Sequence, residues 1–232
     1  MKYLKYANGL HYLEIVGTLL YTTQTSPDIQ YAVSIVSQFG GNPGKPHLKV
    51  AKRILRYLKG TADLRLTLGS SGSESIDLVD WTDSNWAQDP DSCQLIGDFF
   101  FEIAGGSVSW SAKKQPTIAL LTIEAEYIAA MNVTKEAIWL WVLLEDLGYP
   151  QINATIIHAN NQDCIALARN PITHTHAKHI NIHHHFICEC VKNKEVNLQY
   201  CSTKDMIANI FIKQLPWKAF KCFRSALGIN KI

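Results

Sequence analysis

The sequence predicts an α/β fold: a mixed sheet with helices packed on it, preceded by a small helical segment. Three observations predict it. Residues 1–68 repeat apolar side chains at helical spacing, whereas residues 76–229 open with strand patterns and then alternate strands with helices. The polar run G-S-S-G-S-E-S, Gly69 to Ser75, separates the two textures and reads as a linker. With 47% hydrophobic and 18% charged residues, the 232-residue chain has the composition of a folded protein, not of a disordered or acidic segment.

The elements follow in order. Ser26 and Pro27 read as an N-cap and a first helical position, with Ile29, Ala32, Val33, Val36 and Phe39 as the apolar face and Gly40-Gly41 as the stop. A second helix spans about Pro46 to Lys59, with Val50, Ile54, Leu55 and Leu58 inward. Lys49, Lys52, Arg53, Arg56 and Lys59 fall largely on its other sides. That basic stripe can meet a phosphate backbone; the more ordinary reading is a solvated helix face. Ile76 to Asp83, Gln94 to Ile103 and Ser107 to Ser111 read as strands, the last two joined as a hairpin at Ala104-Gly105-Gly106. Glu124 to Leu147 is a long helix, Ala154 to His158 a strand, and Gln162 to Arg169 a helix stopped near Asn170-Pro171. A helix over His176 to Lys192, a strand over Val196 to Cys201 and two short helices complete the chain.

Global properties exclude several classes. Lys and Arg total 22 and Asp and Glu 20, a net +2 that does not announce a nucleic-acid binder. The longest apolar run, Ala137 to Leu144, is too short to cross a bilayer, and no secretory signal is expected. Six cysteines without a C-x-x-C pair fit a reducing, intracellular compartment, cytoplasmic or nuclear.

Carboxylates at strand ends are a common way to hold divalent metal, and W-T-D-S delivers Asp83 to such an end; Asp there is also an ordinary turn former. Glu124 and Glu126 lie about 200° apart on the following helix, so only one can face the sheet, and spacing alone does not choose.

An ordered set of words resolves more. V-G-T-L-L-Y (Val16 to Tyr21), S-P-D-I-Q-Y-A-V-S (Ser26 to Ser34), N-P-G-K-P-H (Asn42 to His47) and A-K-R-I-L-R-Y-L-K-G-T (Ala51 to Thr61) come first. Then follow W-T-D-S-N-W-A (Trp81 to Ala87), V-S-W-S-A-K-K-Q-P-T (Val108 to Thr117), E-A-E-Y-I-A-A (Glu124 to Ala130), N-N-Q (Asn160 to Gln162), K-H-I-N-I (Lys178 to Ile182) and A-N-I-F-I-K (Ala208 to Lys213). On these words the chain resembles the C-terminal part of copia-type retrotransposon Pol polyproteins: the end of reverse transcriptase, then ribonuclease H. The resemblance implies a ribonuclease H fold with a five-stranded mixed sheet, RNA–DNA hybrid as partner, and hydrolysis of the RNA strand with two Mg²⁺ (or Mn²⁺) ions. It also implies residence in a virus-like particle. No Asp-Asp pair occurs in the chain, so no polymerase active site is expected.

Residue by residue, the resemblance assigns Asp83 and Glu126 as metal carboxylates. Where the family has its third and fourth carboxylates, this chain has Asn160 and Asn209. Asn offers one neutral oxygen, and its amide nitrogen cannot ligate a hard cation. A unit charge at about 4 Å is worth ~4 kcal/mol per unit of metal charge at an effective dielectric of ~20. The expectation is a crippled or inactive ribonuclease H, with a non-catalytic nucleic-acid-binding remnant as the alternative.

Other departures share a direction. Asn85, Asn160, Asn181 and Asn209 stand where the family's words have Asp; Cys93 and Cys188, and His176 and His183, stand for Arg; Asp80 and Asp98 stand for Gly. Each is one C-to-T change on one DNA strand or the other, the footprint of a decaying copy. The crowd of His174, His176, His179, His183, His184, His185, Cys188 and Cys190 includes a zinc-compatible i, i+4 pair, but Arg-to-His and Arg-to-Cys change accounts for it without a site. Asp98, within I-G-D-F-F-F, is expected to be a costly buried carboxylate.

Overall fold

A computed structural model describes residues 2–69, 76–85, 96–114, 122–169 and 178–231. Most of the expected linker, 70–75, lies outside the described residues. Strands β2 (Val79–Asn85), β3 (Ile96–Ile103) and β4 (Gly106–Lys114) form an antiparallel meander. The hairpin between β3 and β4 turns at Ala104 (φ 51°) and Gly105 (φ 81°). Two positive φ values in a two-residue turn match the right-handed twist of the strands, the reason for the A-G-G signal.

Helix α4 (Thr122–Asp146) then crosses to β5 (Thr155–Ala159), which pairs parallel to β2. Helices α5 (Gln162–Arg169) and α6 (Lys178–Lys192) cross to β6 (Val196–Tyr200), parallel to β5. The sheet order β4-β3-β2-β5-β6 is the mixed five-stranded arrangement expected.

Alternation along β2 divides its side chains between two cores. Leu78, Phe101, Tyr127, Ala130, Ala137, Leu140 and Ile157 fill the core beneath α4. Trp81, Phe100 and Trp110 face the other way, onto Ile210 and Phe211 of α7 (Asn209–Ile212) and Phe220 and Phe223 of α8 (Trp217–Ala226). On α4, Trp139 is exposed, while the Trp141 indole N–H donates to Thr155 Oγ1 at 2.7 Å. Among the described residues no helix is long and apolar enough to cross a membrane.

The helical segment has its own core. Helices α1 (Lys2–Thr22), α2 (Gln30–Ser37) and α3 (Lys45–Gly60) enclose Tyr12, Val16, Leu19, Val33, Val36, Ala51 and Ile54. Three expectations are corrected. Pro27–Ile29 is a 3₁₀ turn, and Ser26 makes no side-chain cap hydrogen bond. Val50 and Leu55 of α3 are 44% and 39% exposed while Ala51 is buried. The inward stripe is therefore rotated by about a residue, because the small Ala51 lets α3 sit close to its neighbours. Phe39 lies beyond the end of α2 and stacks on His47, ring centroids 4.0 Å apart.

Two strands had no sequence signal. β1 (Leu64–Leu66) and β7 (Ile229–Lys231) pair antiparallel, three residues each, too short for alternation to register. They tie the exit of the helical segment to the end of the chain. Thr67 N–H donates to Gly228 O at 3.0 Å, and Ser107 donates to Leu227 O through both its N–H and its hydroxyl. The approach requires glycine: a Cβ on Gly106 would lie 2.4 Å from Thr67 O. Further links are the Trp110 indole N–H to Thr23 O at 2.9 Å, and an Arg224–Tyr57–Asp28 chain in which Arg224 Nη1 donates to Tyr57 Oη at 3.1 Å and Tyr57 donates to Asp28.

Asp80, on the α4 side of β2, is 0% exposed, and neither of its carboxyl oxygens has a hydrogen-bond partner. Burial pushes its pKa well above the usual carboxylate range, outweighing weak help from the Trp81 backbone, and Glu136 adds to the rise. Folding therefore takes up a proton at Asp80. Its cost is absent below the ordinary carboxylate pKa and grows as pH rises toward the folded value. Asp80→Ala is expected to stabilise the protein by about 1–2 kcal/mol at neutral pH and to flatten that slope, measured by urea denaturation across pH. Gly106→Ala is expected to cost about 2 kcal/mol or more in the same assay.

Candidate functional site

Because β2 and β5 run parallel, their C-terminal ends lie side by side. Asp83 stands near the end of β2, and Asn160 is the first residue after β5. Their side chains meet: Asn160 Nδ2 donates to Asp83 Oδ1 at 2.7 Å. Helix α7 supplies the third expected position, Asn209, and one turn on places Lys213. Lys213 Nζ donates to Asp83 Oδ2 at 3.1 Å and to Asn209 Oδ1 at 2.6 Å. Asn209 Nδ2 donates onward to Thr203 O at 2.7 Å. Asp83 is 1% exposed and Asn209 3%.

The structure thus gathers positions 83, 160 and 209 into one cluster. Glu126 stands in the second turn of α4, and its side chain lies outside the described residues. Lys213 was missed by sequence reasoning. Its signal was available in A-N-I-F-I-K, where it follows Asn209 by four residues, a spacing that brings side chains together over one helical turn.

The amide orientations follow from donor chemistry. An ionised carboxylate only accepts hydrogen bonds, so Asn160 must turn its NH₂ toward Asp83. Asn209 is fixed at both ends, its oxygen by an ammonium that only donates and its NH₂ by a carbonyl that only accepts. Among the described residues, Asp83, Asn160, Asn209 and Lys213 form a hydrogen-bond network that joins one carboxylate to one ammonium. Two divalent cations need several anionic oxygens turned toward them. Here the described residues present to Asp83 an amide NH₂ and a Lys ammonium, and the set does not fit that pair of ions.

The surroundings are aromatic and partly dry. Trp81 stacks on Phe100, centroids 4.8 Å apart, and on His158, 4.9 Å apart. Burial lowers the His158 pKa below its ordinary value. Asp98 pairs with Asp83 across β2 and β3 and is likewise 1% exposed, so the expected buried carboxyl is there, beside Asp83.

The basic stripe Lys49, Lys52, Arg53, Arg56 and Lys59 is exposed along α3. Of the His/Cys crowd, residues 174 and 176 lie outside the described residues, as do the side chains of 179, 183 and 184. His185 is exposed, and Cys188 Sγ contacts Leu167 O at 3.6 Å. Cys190 is buried, its thiol pKa pushed up to about 12, first by burial and then by Glu195. Among the described residues no group of three or more His, Cys, Asp or Glu is placed to hold a metal.

Comparison with known proteins gives the following. No family model matches the chain. The Retrovirus-related Pol polyprotein from transposon TNT 1-94 of Nicotiana tabacum is 38% identical over 94% of this chain and 16% of its own length. That from transposon RE1 of Arabidopsis thaliana is 34% identical over 98% of this chain and 15% of its own. The chain thus spans about one sixth of these curated relatives. Among solved structures, LC11-RNase H1 in complex with an RNA/DNA hybrid aligns at 10% identity with a TM-score of 0.44, covering 59% of this chain and 94% of that one.

Lys213→Met leaves the carboxylate of Asp83 buried without its cation. The expected loss of stability is about 2 kcal/mol by urea denaturation; the 31% exposure of Lys213 moderates the value for a fully buried pair. The Asp83→Asn, Lys213→Met double variant is expected to recover most of that loss.

Proposed function

We propose that this chain, which belongs to the copia-type retrotransposon Pol polyproteins and carries their ribonuclease H-like domain, binds RNA–DNA hybrids and has lost their hydrolysis. The observation that carries the reading is at Asp83. One of its oxygens is bonded by the Asn160 amide and the other by the Lys213 ammonium. Hybrid hydrolysis in this family depends on divalent ions drawn to carboxylates at four positions, of which this chain keeps Asp83 and Glu126. When bound, such ions supply an activated water and a charge stabiliser for the leaving oxygen. The residues here instead hold Asp83 fixed and neutralised: Lys213 balances its charge, Asn160 orients it, and Asn209 positions Lys213. Asn160 and Asn209 are the lesions, and the sheet that gathers them supports a sound scaffold.

The test compares cleavage of a labelled RNA–DNA hybrid in Mg²⁺ or Mn²⁺ by this chain and by the Asn160→Asp, Asn209→Asp double variant. The double variant is expected to be faster by about 100-fold or more, a loss of that order being usual when transition-state charge stabilisation is removed. Adding Asp83→Asn to it is expected to abolish the gain. Metal-dependent cleavage by the unaltered chain at a rate near that of the double variant contradicts the proposal.

A further inference from the structure

Two stretches of this chain that lack acidic residues meet at one cleft. The sequence carries no Asp or Glu from Ile29 to Ala62, nor from Met206 to its end. In space these two stretches face each other across a cleft of about 630 Å³. One wall is α3, with Arg53 and Tyr57; the other is the chain through α7 and α8, with Lys213, Trp217 and Phe220. The one acidic group among the described residues of its lining, Asp28, is buried and accepts the Tyr57 hydroxyl. Arg53 and Lys213 line it, and α3 and α8, the helices that supply its walls, also carry the exposed Lys49, Lys52, Arg56, Lys218 and Lys221. Each wall of the groove thus carries a cation, Arg53 on one side and Lys213 on the other, on stretches free of acidic residues, an arrangement that favours an anionic ligand.

The same cleft holds an aromatic ladder. Trp217, 57% exposed, stacks on Phe220 with centroids 5.7 Å apart and 13° between planes. Phe220 in turn meets the edge of Tyr57 at 5.9 Å, and Lys221 Nζ lies 5.0 Å from the Trp217 ring. An exposed indole backed by a second ring and flanked by cations suits a nucleobase with its phosphate. Lys213 lines the cleft and also bonds Asp83, so the groove is continuous with the cluster at the sheet end.

We propose that this cleft takes the unpaired continuation of a nucleic-acid strand, with a base stacked on Trp217 and the phosphates met by Arg53 and the neighbouring cations of α3 and α8. The placement rests on the hybrid-binding reading above and adds to it a single-stranded subsite.

The test is fluorescence anisotropy with a blunt RNA–DNA hybrid, the same hybrid carrying a short unpaired RNA or DNA tail, and the tail strand alone, at several salt concentrations. Tailed hybrid is expected to bind about tenfold more tightly than blunt, one stacked base being worth a factor of that order. Trp217→Ala is expected to bring tailed hybrid down to the level of blunt, and Trp217→Phe to restore most of the advantage. Arg53→Glu is expected to weaken tail binding and reduce its salt dependence. Trp139→Ala, an exposed indole on α4, is the control expected to change nothing. Equal affinity for blunt and tailed hybrid, or a tail advantage that survives Trp217→Ala, overturns the cleft and leaves hybrid binding standing. Binding of the single strand through Trp217 with no affinity for blunt hybrid refutes the function proposed above and supports the cleft. No binding to any of these probes overturns both.

Discussion

A carboxylate taken out of water must be compensated, and Asp83 is compensated entirely from within this chain. Its side chain is 1% exposed, yet both oxygens are bonded, one by an amide and one by an ammonium. The compensation assembles elements distant in sequence. β2 carries the anion, the end of β5 carries Asn160, and α7 carries Asn209 with Lys213 a turn beyond. Two of these positions, 160 and 209, are those where the resemblance to the family implies carboxylates. Asn at both leaves the carboxylate partnered, because a neutral amide can donate where a carboxylate cannot. The Asn residues leave the described part of the cluster with less negative charge than carboxylates at the same positions would give it.

The helical segment bears on this cluster through the second face of the sheet. α7 is pinned between that face, through Phe100 and Phe211, and the 3₁₀ turn and α2 on its other side. The β1–β7 ribbon, the Gly106 approach and the Arg224–Tyr57–Asp28 chain close the same seam from other directions. The position of Lys213, and hence the neutralisation of Asp83, is fixed by packing that involves residues at both ends of the chain. Asp80 shows the contrast on the opposite face. There a carboxyl lies buried without a hydrogen-bond partner, and burial pushes its pKa well above the usual carboxylate range.

Much of this was legible in the sequence because local physics dictates it. Period-two alternation and the Ala104-Gly105-Gly106 turn located the meander, and ordered motif words singled out positions 83, 126, 160 and 209, of which Asp83 and Asn160 are hydrogen-bonded and Lys213 links Asp83 to Asn209. What was not legible depends on tertiary geometry. β1 and β7 are too short to carry a pattern, and the inward face of α3 was misjudged because Ala51, not the larger Val50 and Leu55, makes the close contact. Lys213 was visible as a residue but not as a partner, since its bond to Asp83 spans 130 positions of sequence. The basic stripe on α3 was likewise visible, whereas the facing wall on α8 was not, because no sequence pattern tells which two acid-free stretches oppose each other.

Calorimetric titration of Mn²⁺ reads directly, independently of any substrate, whether the cluster at Asp83 holds divalent ions. The prediction is no saturable binding to the unaltered chain at millimolar ion, and saturable binding that depends on Asp83 once Asn160 and Asn209 are returned to Asp. Two ions taken up by the unaltered chain, and lost on Asp83→Asn, would contradict it.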